Sequence, residues 1–280
     1  MATKPKPIKT VGMIGLGEMG LPMTRHLLAA GFKVVGCDLR PAARAAARKL
    51  GAGIAKGPAA VAAKSDLVIV VVGFDSEVIE VVQGKDGLLA KARPGTAIAV
   101  ASTVSPQTMK DLAADKRARH VTFLDAPLCR GAEAAQHGKL LLMGGGDKRT
   151  FEACRPAFAT FADAIFHLGP VGAGQVGKMV NNQLLWTCIS INEEGMKLGK
   201  ALGVSPARLR QALLKSSGNN WALETQVVEK PMPWAEKDMT LLLQEADSAR
   251  ISLPLSGTVR EVIKGIKIER GQAIPKVKKT

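Results

Sequence analysis

The chain has 280 residues, 46% hydrophobic and 22% charged, with 29 Gly, 15 Pro, four Cys and no Tyr. That apolar fraction excludes disorder over most of the length, and no apolar run reaches the roughly 18 residues that a membrane span needs. A net charge of +15 raises nucleic acid as a partner, yet much of it sits in Lys4, Lys6 and Lys9 and in Lys276, Lys278 and Lys279. With no basic stripe interleaved with aromatics, the charge reads as solvated tails and a field attractive to small anions. Cys37, Cys129, Cys154 and Cys188 form no CxxC pair, and His26, His120, His137 and His167 lack ligand spacing, which argues against a disulfide framework and against a metal site. The basic, Pro-interrupted N-terminus does not read as a signal peptide, so a reducing cytoplasm is the expected compartment.

Up to about residue 168, short apolar runs alternate with helical patterns. The runs are Thr10 to Ile14, Lys33 to Cys37, Leu67 to Val72, Ala97 to Ala101, Val121 to Leu124, Leu140 to Met143 and Ile165 to Leu168. Most lack alternation, as strands buried on both faces should. Helical patterns fall near Glu18 to Ala30, Pro41 to Leu50, Ser76 to Ala90 and Pro106 to Ala114. This rhythm predicts an α/β fold with a Rossmann-type doubly wound parallel sheet over residues 1–168. From 169 to 280 the strand signals stop. Gln175 to Leu202, Pro206 to Lys215, Trp221 to Val228, Glu236 to Arg250 and Pro254 to Ile268 predict an all-helical second domain, with a cleft expected between the two.

The first run leads straight into Gly15-Leu16-Gly17-Glu18-Met19-Gly20 and a helix. In that context the first glycine makes a tight turn, Gly17 admits a pyrophosphate to the backbone, and Gly20 lets helix and strand pack closely. The helix N-terminus supplies free amides and partial positive charge. The second run ends in Asp38, 21 residues after Gly17, where a carboxylate can accept from an adenosine ribose. It would repel a 2′-phosphate and so favours NAD. Arg40, two residues on, could pair with that phosphate, which keeps NADP as the alternative.

The chain resembles the β-hydroxyacid dehydrogenases, the 3-hydroxyisobutyrate dehydrogenase family, over nearly its whole length. The resemblance rests on Gly15 to Met23, Ser102-Thr103-Val104-Ser105-Pro106, Asp125-Ala126-Pro127-Leu128-Cys129-Arg130-Gly131, Gly174 to Asn182 and Lys237-Asp238. It implies an NAD(P)-dependent oxidoreductase that moves a hydride between the nicotinamide and a small β-hydroxyacid or related anionic alcohol or aldehyde. Thr103 would sit on the nicotinamide side, Lys178 would be the general acid/base, Asn182 would position it and the substrate, and Lys237 would reach the cofactor. With Gly15 to Gly20 and Asp38, the cofactor set is completed by Leu39, Arg40 and Val72. A homo-oligomer, dimeric or tetrameric, is implied as well. The residues themselves agree in part: Lys178 and Asn182, four apart on a helix, share one face, and alcohol oxidation needs a base for the hydroxyl proton.

The departure from the family lies in the substrate loop. Where Ser-Gly-Gly is usual, this chain has Cys129-Arg130-Gly131, whose thiol is a weak donor. Arg130 could compensate as a bidentate fork for an additional or differently placed anionic group on the substrate. Two rivals are expected to be separable by experiment: an imine or other carbonyl reductase of the same fold, disfavoured by Lys178, and a cofactor-binding scaffold for an acidic partner, suggested by the charge.

Overall fold

The computed structural model describes residues 7–225 and 231–273. Lys4, Lys6, Lys276, Lys278, Lys279 and the end of the segment expected at Trp221 to Val228 lie outside the described residues. The chain divides into two compact units, Met1–Lys178 and Met179–Thr280.

The first unit is built on nine strands: β1 (Thr10–Ile14), β2 (Lys33–Cys37), β3 (Gly53–Ile54), β4 (Leu67–Val70), β5 (Ala97–Val100), β6 (Thr122–Asp125), β7 (Leu128–Cys129), β8 (Leu140–Gly146) and β9 (Ala162–Gly169). Their order is β3-β2-β1-β4-β5-β6-β8-β7, with β9 on β8. The first six are parallel, in register Val11↔Leu67 and Leu67↔Ala97 across the centre. The far edge departs from the all-parallel expectation: β8 runs antiparallel to β6 and β7 and parallel to β9. The reason is local. Only Ala126 and Pro127 separate β6 from β7, so the chain continues in one direction and both short strands pair along β8; proline, without an N–H, falls in the break.

Helices α1 (Gly20–Ala29), α2 (Pro41–Lys49), α3 (Pro58–Ala62), α4 (Asp75–Gln83), α5 (Pro106–Ala114), α6 (Gly131–Gln136) and α7 (Lys148–Phe158) cover the sheet. The period of two along each strand sorts the core into two layers. Val11, Met13, Leu67, Ile69, Ala97 and Ala99 face Leu27 of α1 and Phe151 and Phe158 of α7, while Ile14, Val68, Val70, Ile98 and Val100 face Val78 of α4 and Met109 of α5. Both faces are buried, which is why these strands read as unbroken apolar runs. The helix expected at Ser76 to Ala90 is split, because α4 ends before Gly84 and a separate short turn, Leu88–Ala90, follows Gly87.

A 29-residue helix, α8 (Ala173–Ala201), starts in the first unit and runs into the second. It is followed by α9 (Pro206–Leu213), α10 (Trp221–Thr225), α11 (Ala235–Ser248) and α12 (Pro254–Glu269). Trp186 and Ile189 of α8 pack with Met239 and Leu242 of α11 and Val259, Ile263 and Ile266 of α12. Lys267, fully buried on α12, is paired with Glu236 of α11. No described helix is long and apolar enough to cross a membrane.

Candidate active site

Gly15 follows β1 at φ +90°, and a Cβ there would lie 2.0 Å from the Val71 carbonyl oxygen. A Cβ on Gly20 would lie 1.9 Å from the carbonyl oxygen of Gly15, so this glycine fixes how closely α1 approaches the strand. Gly17 is different: its Cβ would meet only the Arg40 guanidinium, at 3.0 Å. Among the described residues no acceptor is placed on the amides of Gly17, Glu18 and Met19, and no acidic side chain occupies the first turn of α1. A backbone cradle open to an anion at a helix N-terminus fits a dinucleotide pyrophosphate.

Asp38 follows β2 and is tied to that loop. Its Oδ2 accepts from the Leu16 amide at 2.7 Å, and its Oδ1 accepts from the Arg40 amide at 2.8 Å and from Arg40 Nε at 3.1 Å. Burial alone would raise its carboxyl, but the bonds from the Arg40 side chain and from the amides of Arg40 and Leu16 outweigh it and hold Asp38 below the ordinary range. Leu39 is 95% exposed. Arg44 Nη1 donates to the carbonyls of Asp38 and Leu39 at 2.7 and 2.8 Å, and with Arg48, Ile54, Ala55 and Lys56 it lines an open recess.

Beyond β4, the half-buried Val72 donates its amide to Ser102 Oγ at 2.8 Å. Thr103, half-buried, follows β5 two residues before Ser105, the residue that caps α5 by accepting from the Thr108 amide.

The loop expected to hold substrate begins as β7. Cys129 is buried, and the Lys178 ammonium donates to its sulfur at 3.8 Å. Sequence-distant residues of two motifs therefore meet in the first unit. Arg130 adopts φ +80°, a region that favours glycine, as the N-cap of α6. Its Nη1 donates to Asp163 Oδ1 at 2.5 Å and to the Lys139 carbonyl at 3.0 Å. The guanidinium expected as a fork for substrate is thus bound to β9 and to the residue before β8. Gly131, at φ +77°, opens α6 and is exposed.

In the second unit, Asn182 stands one turn beyond Lys178 on α8 and is 3% exposed. Its Oδ1 accepts from Asn181 at 3.1 Å, whereas its Nδ2 has no acceptor among the described residues. Lys237, on α11, lies over the Trp234 ring at 5.9 Å.

Two residues given no role from the sequence prove central. Asp125, fully buried at the end of β6, accepts from the amides of Gly172, Gly174 and Gln175 at 2.9, 2.5 and 3.1 Å, and so caps the start of α8. Burial raises its carboxyl, against the pull of those three amides. Gln175 is fully buried beside it. The available signal for Asp125 was a single charge closing a buried strand directly before Ala-Pro. Among the described residues no group of three or more metal-ligating side chains occurs. The four histidines contact backbone carbonyls, such as His26 with Ala135 and His167 with Gly146.

Residues 10–169 match the model of the NAD-binding domain of 6-phosphogluconate dehydrogenase, and residues 172–273 match that of the NAD-binding domain of NADP-dependent 3-hydroxyisobutyrate dehydrogenase. The NAD-dependent L-serine dehydrogenase of Pseudomonas aeruginosa is 38% identical over 226 residues, covering 81% of this chain and 75% of that protein. The chain belongs to the 3-hydroxyisobutyrate dehydrogenase family. The 2-(hydroxymethyl)glutarate dehydrogenase of Eubacterium barkeri is 32% identical over 93% of this chain and 89% of its own length. The solved structure of Mycobacterium tuberculosis 3-hydroxyisobutyrate dehydrogenase with L-serine superposes with a TM-score of 0.83 at 28% identity, covering 94% of each chain. An imine reductase from Pseudomonas sp., at 16% identity and TM-score 0.65, shares the fold alone. As a member of the 3-hydroxyisobutyrate dehydrogenase family, the chain is an NAD(P)-dependent oxidoreductase.

Proposed function

We propose that the chain oxidises a small β-hydroxyacid or related anionic alcohol reversibly, with NAD favoured over NADP and Lys178 as the proton carrier. The observation that carries this reading is the Lys178 ammonium at 3.8 Å from Cys129, which joins the lysine to the loop where the family's substrate carboxylate is expected. When bound, the nicotinamide cofactor accepts or returns the hydride. The chain's own residues do the rest. As the free amine Lys178 takes the hydroxyl proton in oxidation, becoming the ammonium, and as the ammonium it gives the proton back in reduction. Asn182 offers to the substrate oxygen the Nδ2 that has no acceptor among the described residues. Cys129 and Gly131 hold the carboxylate, the thiol as a weak donor and the loop amides as the main ones.

For the cofactor, Gly15 to Gly20 receive the pyrophosphate and Thr103 and Val72 line the rest of the dinucleotide in the first unit, while Lys237 is assigned to the cofactor by the family resemblance alone. Asp38, held ionised by Arg40, takes the adenosine ribose and Leu39 covers the adenine. A 2′-phosphate would meet that carboxylate, while Arg40, Arg44, Arg48 and Lys56 supply the charge that would partly offset it.

The chain is proposed to form a homo-oligomer. Val176, Val180, Leu184, Ile191, Leu198 and Leu202 are exposed. On a 100° wheel they fall within roughly 80° of arc, opposite Lys178 and Asn182. A stripe of that length suits a second copy, and light scattering should return at least a dimer mass.

The deciding experiment is initial rates of NADH and NADPH formation over a panel of small β-hydroxyacids, L-serine and hydroxymethyl diacids included. Lys178→Ala should lower kcat by about 10²–10⁴. Full turnover in that variant would overturn the lysine mechanism, and no turnover of any panel member by a parent that binds cofactor tightly would favour an imine reductase.

A further inference from the structure

We propose that Gln175 is a positioning residue that locks the Thr103 segment to the helix bearing Lys178. The side-chain amide bridges the two peptide units around Thr103: its Oε1 accepts from the Val104 amide at 3.2 Å, and its Nε2 donates to the Ser102 carbonyl at 2.9 Å. The same residue's backbone amide donates to Asp125 Oδ2 at 3.1 Å. Gln175 thus ties the start of α8 to the ends of both β5 and β6. Through Ser102, whose Oγ accepts from the Val72 amide at 2.8 Å, the network reaches the end of β4 as well.

The chemistry demands this side chain. One bond uses its acceptor and the other its donors, and a primary amide carries both at one carbon. Glutamate would set an oxygen against the Ser102 carbonyl oxygen, and an apolar residue of equal volume would leave a buried donor and a buried acceptor unmatched. Gln175 is 0% exposed, so water replaces neither bond. Lys178 follows three residues later, one turn along on a neighbouring face. Sliding or rotating the first turn of α8 against Thr103 would therefore shift the ammonium relative to Cys129.

The assignment rests on Thr103 lining the nicotinamide side and Lys178 carrying the proton. Its consequence is that alignment, more than substrate binding, depends on Gln175, since an error near 1 Å at the reacting centre costs about 10²-fold in rate.

The test uses the full chain carrying Gln175→Met or Gln175→Glu, with Gln175→Asn, which keeps both groups but withdraws them by one methylene, as the conservative variant. Two readouts are taken. In the cofactor-free protein, hydrogen exchange of the segment containing Val104 should speed at least tenfold in Gln175→Met. In turnover, kcat should fall about 10- to 100-fold with KM for the hydroxyacid within threefold, the substrate deuterium isotope effect should rise, and Gln175→Asn should recover part of the rate. Parental exchange at Val104, or parental kcat and isotope effect in a Gln175→Met that folds, would overturn the proposal. Should Gln175→Met not fold, Gln175→Glu and Gln175→Asn are judged by the same two readouts. Lys178→Ala, measured alongside, separates the failures: retained turnover there sinks the proton-carrier reading, while accelerated exchange at Val104 still upholds the bridge.

Discussion

Arg130 shows how an unusual residue in a motif can be held by its neighbours. An arginine at φ +80° is disfavoured by about 1–2 kcal/mol relative to right-handed backbone, and the ion pair with Asp163 that accompanies it has side chains 36% and 49% exposed. Such a pair returns little in water. Arg130→Gly is therefore expected to leave thermal stability unchanged or to raise it by up to ~1 kcal/mol in a melting experiment. It should also leave KM for the preferred hydroxyacid within twofold. A tenfold rise in KM would instead mean that the guanidinium leaves Asp163 to hold an additional anionic group of the substrate, as the motif alone suggested. Cys129 was legible as a weak donor. That its sulfur meets Lys178 was not, because no local spacing relates positions 49 apart in the chain.

Among the elements, α8 depends on Asp125. Three amides of the first turn converge on one buried carboxylate, whose two oxygens provide acceptors only. Asp125→Asn would aim an N–H at another N–H, and the unmatched buried groups should lower unfolding free energy by about 1–3 kcal/mol in urea titrations followed by circular dichroism. The central strands and α1, α2, α5, α8 and α12 could be read from the chain because the apolar period was supported by a proline in the first turns of α1, α2, α5 and α12 and by a glycine just beyond α1, α2, α8 and α12. Others were hidden for physical reasons. With two residues each, β3 and β7 carry no period. Helix α6 begins on a glycine, and α7 contains Pro156, both of which read as loop. Gln175 was hidden in another way, since nothing in a sequence distinguishes a glutamine that bridges two peptide units from one that faces water.

On the scale of the whole molecule, acid stability joins local carboxylates to one unfolding equilibrium. The Arg117 side-chain hydrogen bond, aided by the Arg117 amide, lowers Asp115 from 3.8 to about 2. A carboxyl depressed by folding favours the folded state above its unfolded value and loses that contribution as pH falls toward the folded one. Between pH 4 and pH 2 the parent should therefore lose stability more steeply than Asp115→Asn, as read from urea midpoints. Asp125 works in the opposite sense. Its carboxyl is raised by burial, so its contribution declines as pH rises above 3.8 toward the raised value. The two windows adjoin at 3.8, so the opposed slopes should give the parent a local maximum of stability near that pH, and Asp115→Asn should lose its acid side and Asp125→Asn its alkaline side.

Leu39, 95% exposed at the tip beyond β2, has a thermodynamic consequence. An isobutyl group held open to solvent keeps a shell of water whose heat capacity exceeds that of bulk, and any planar ring laid over it would release that shell. Calorimetry of cofactor binding at several temperatures should then give an enthalpy that grows more negative on warming. In Leu39→Ser the slope should be shallower, although no hydrogen bond to the nucleotide has been removed.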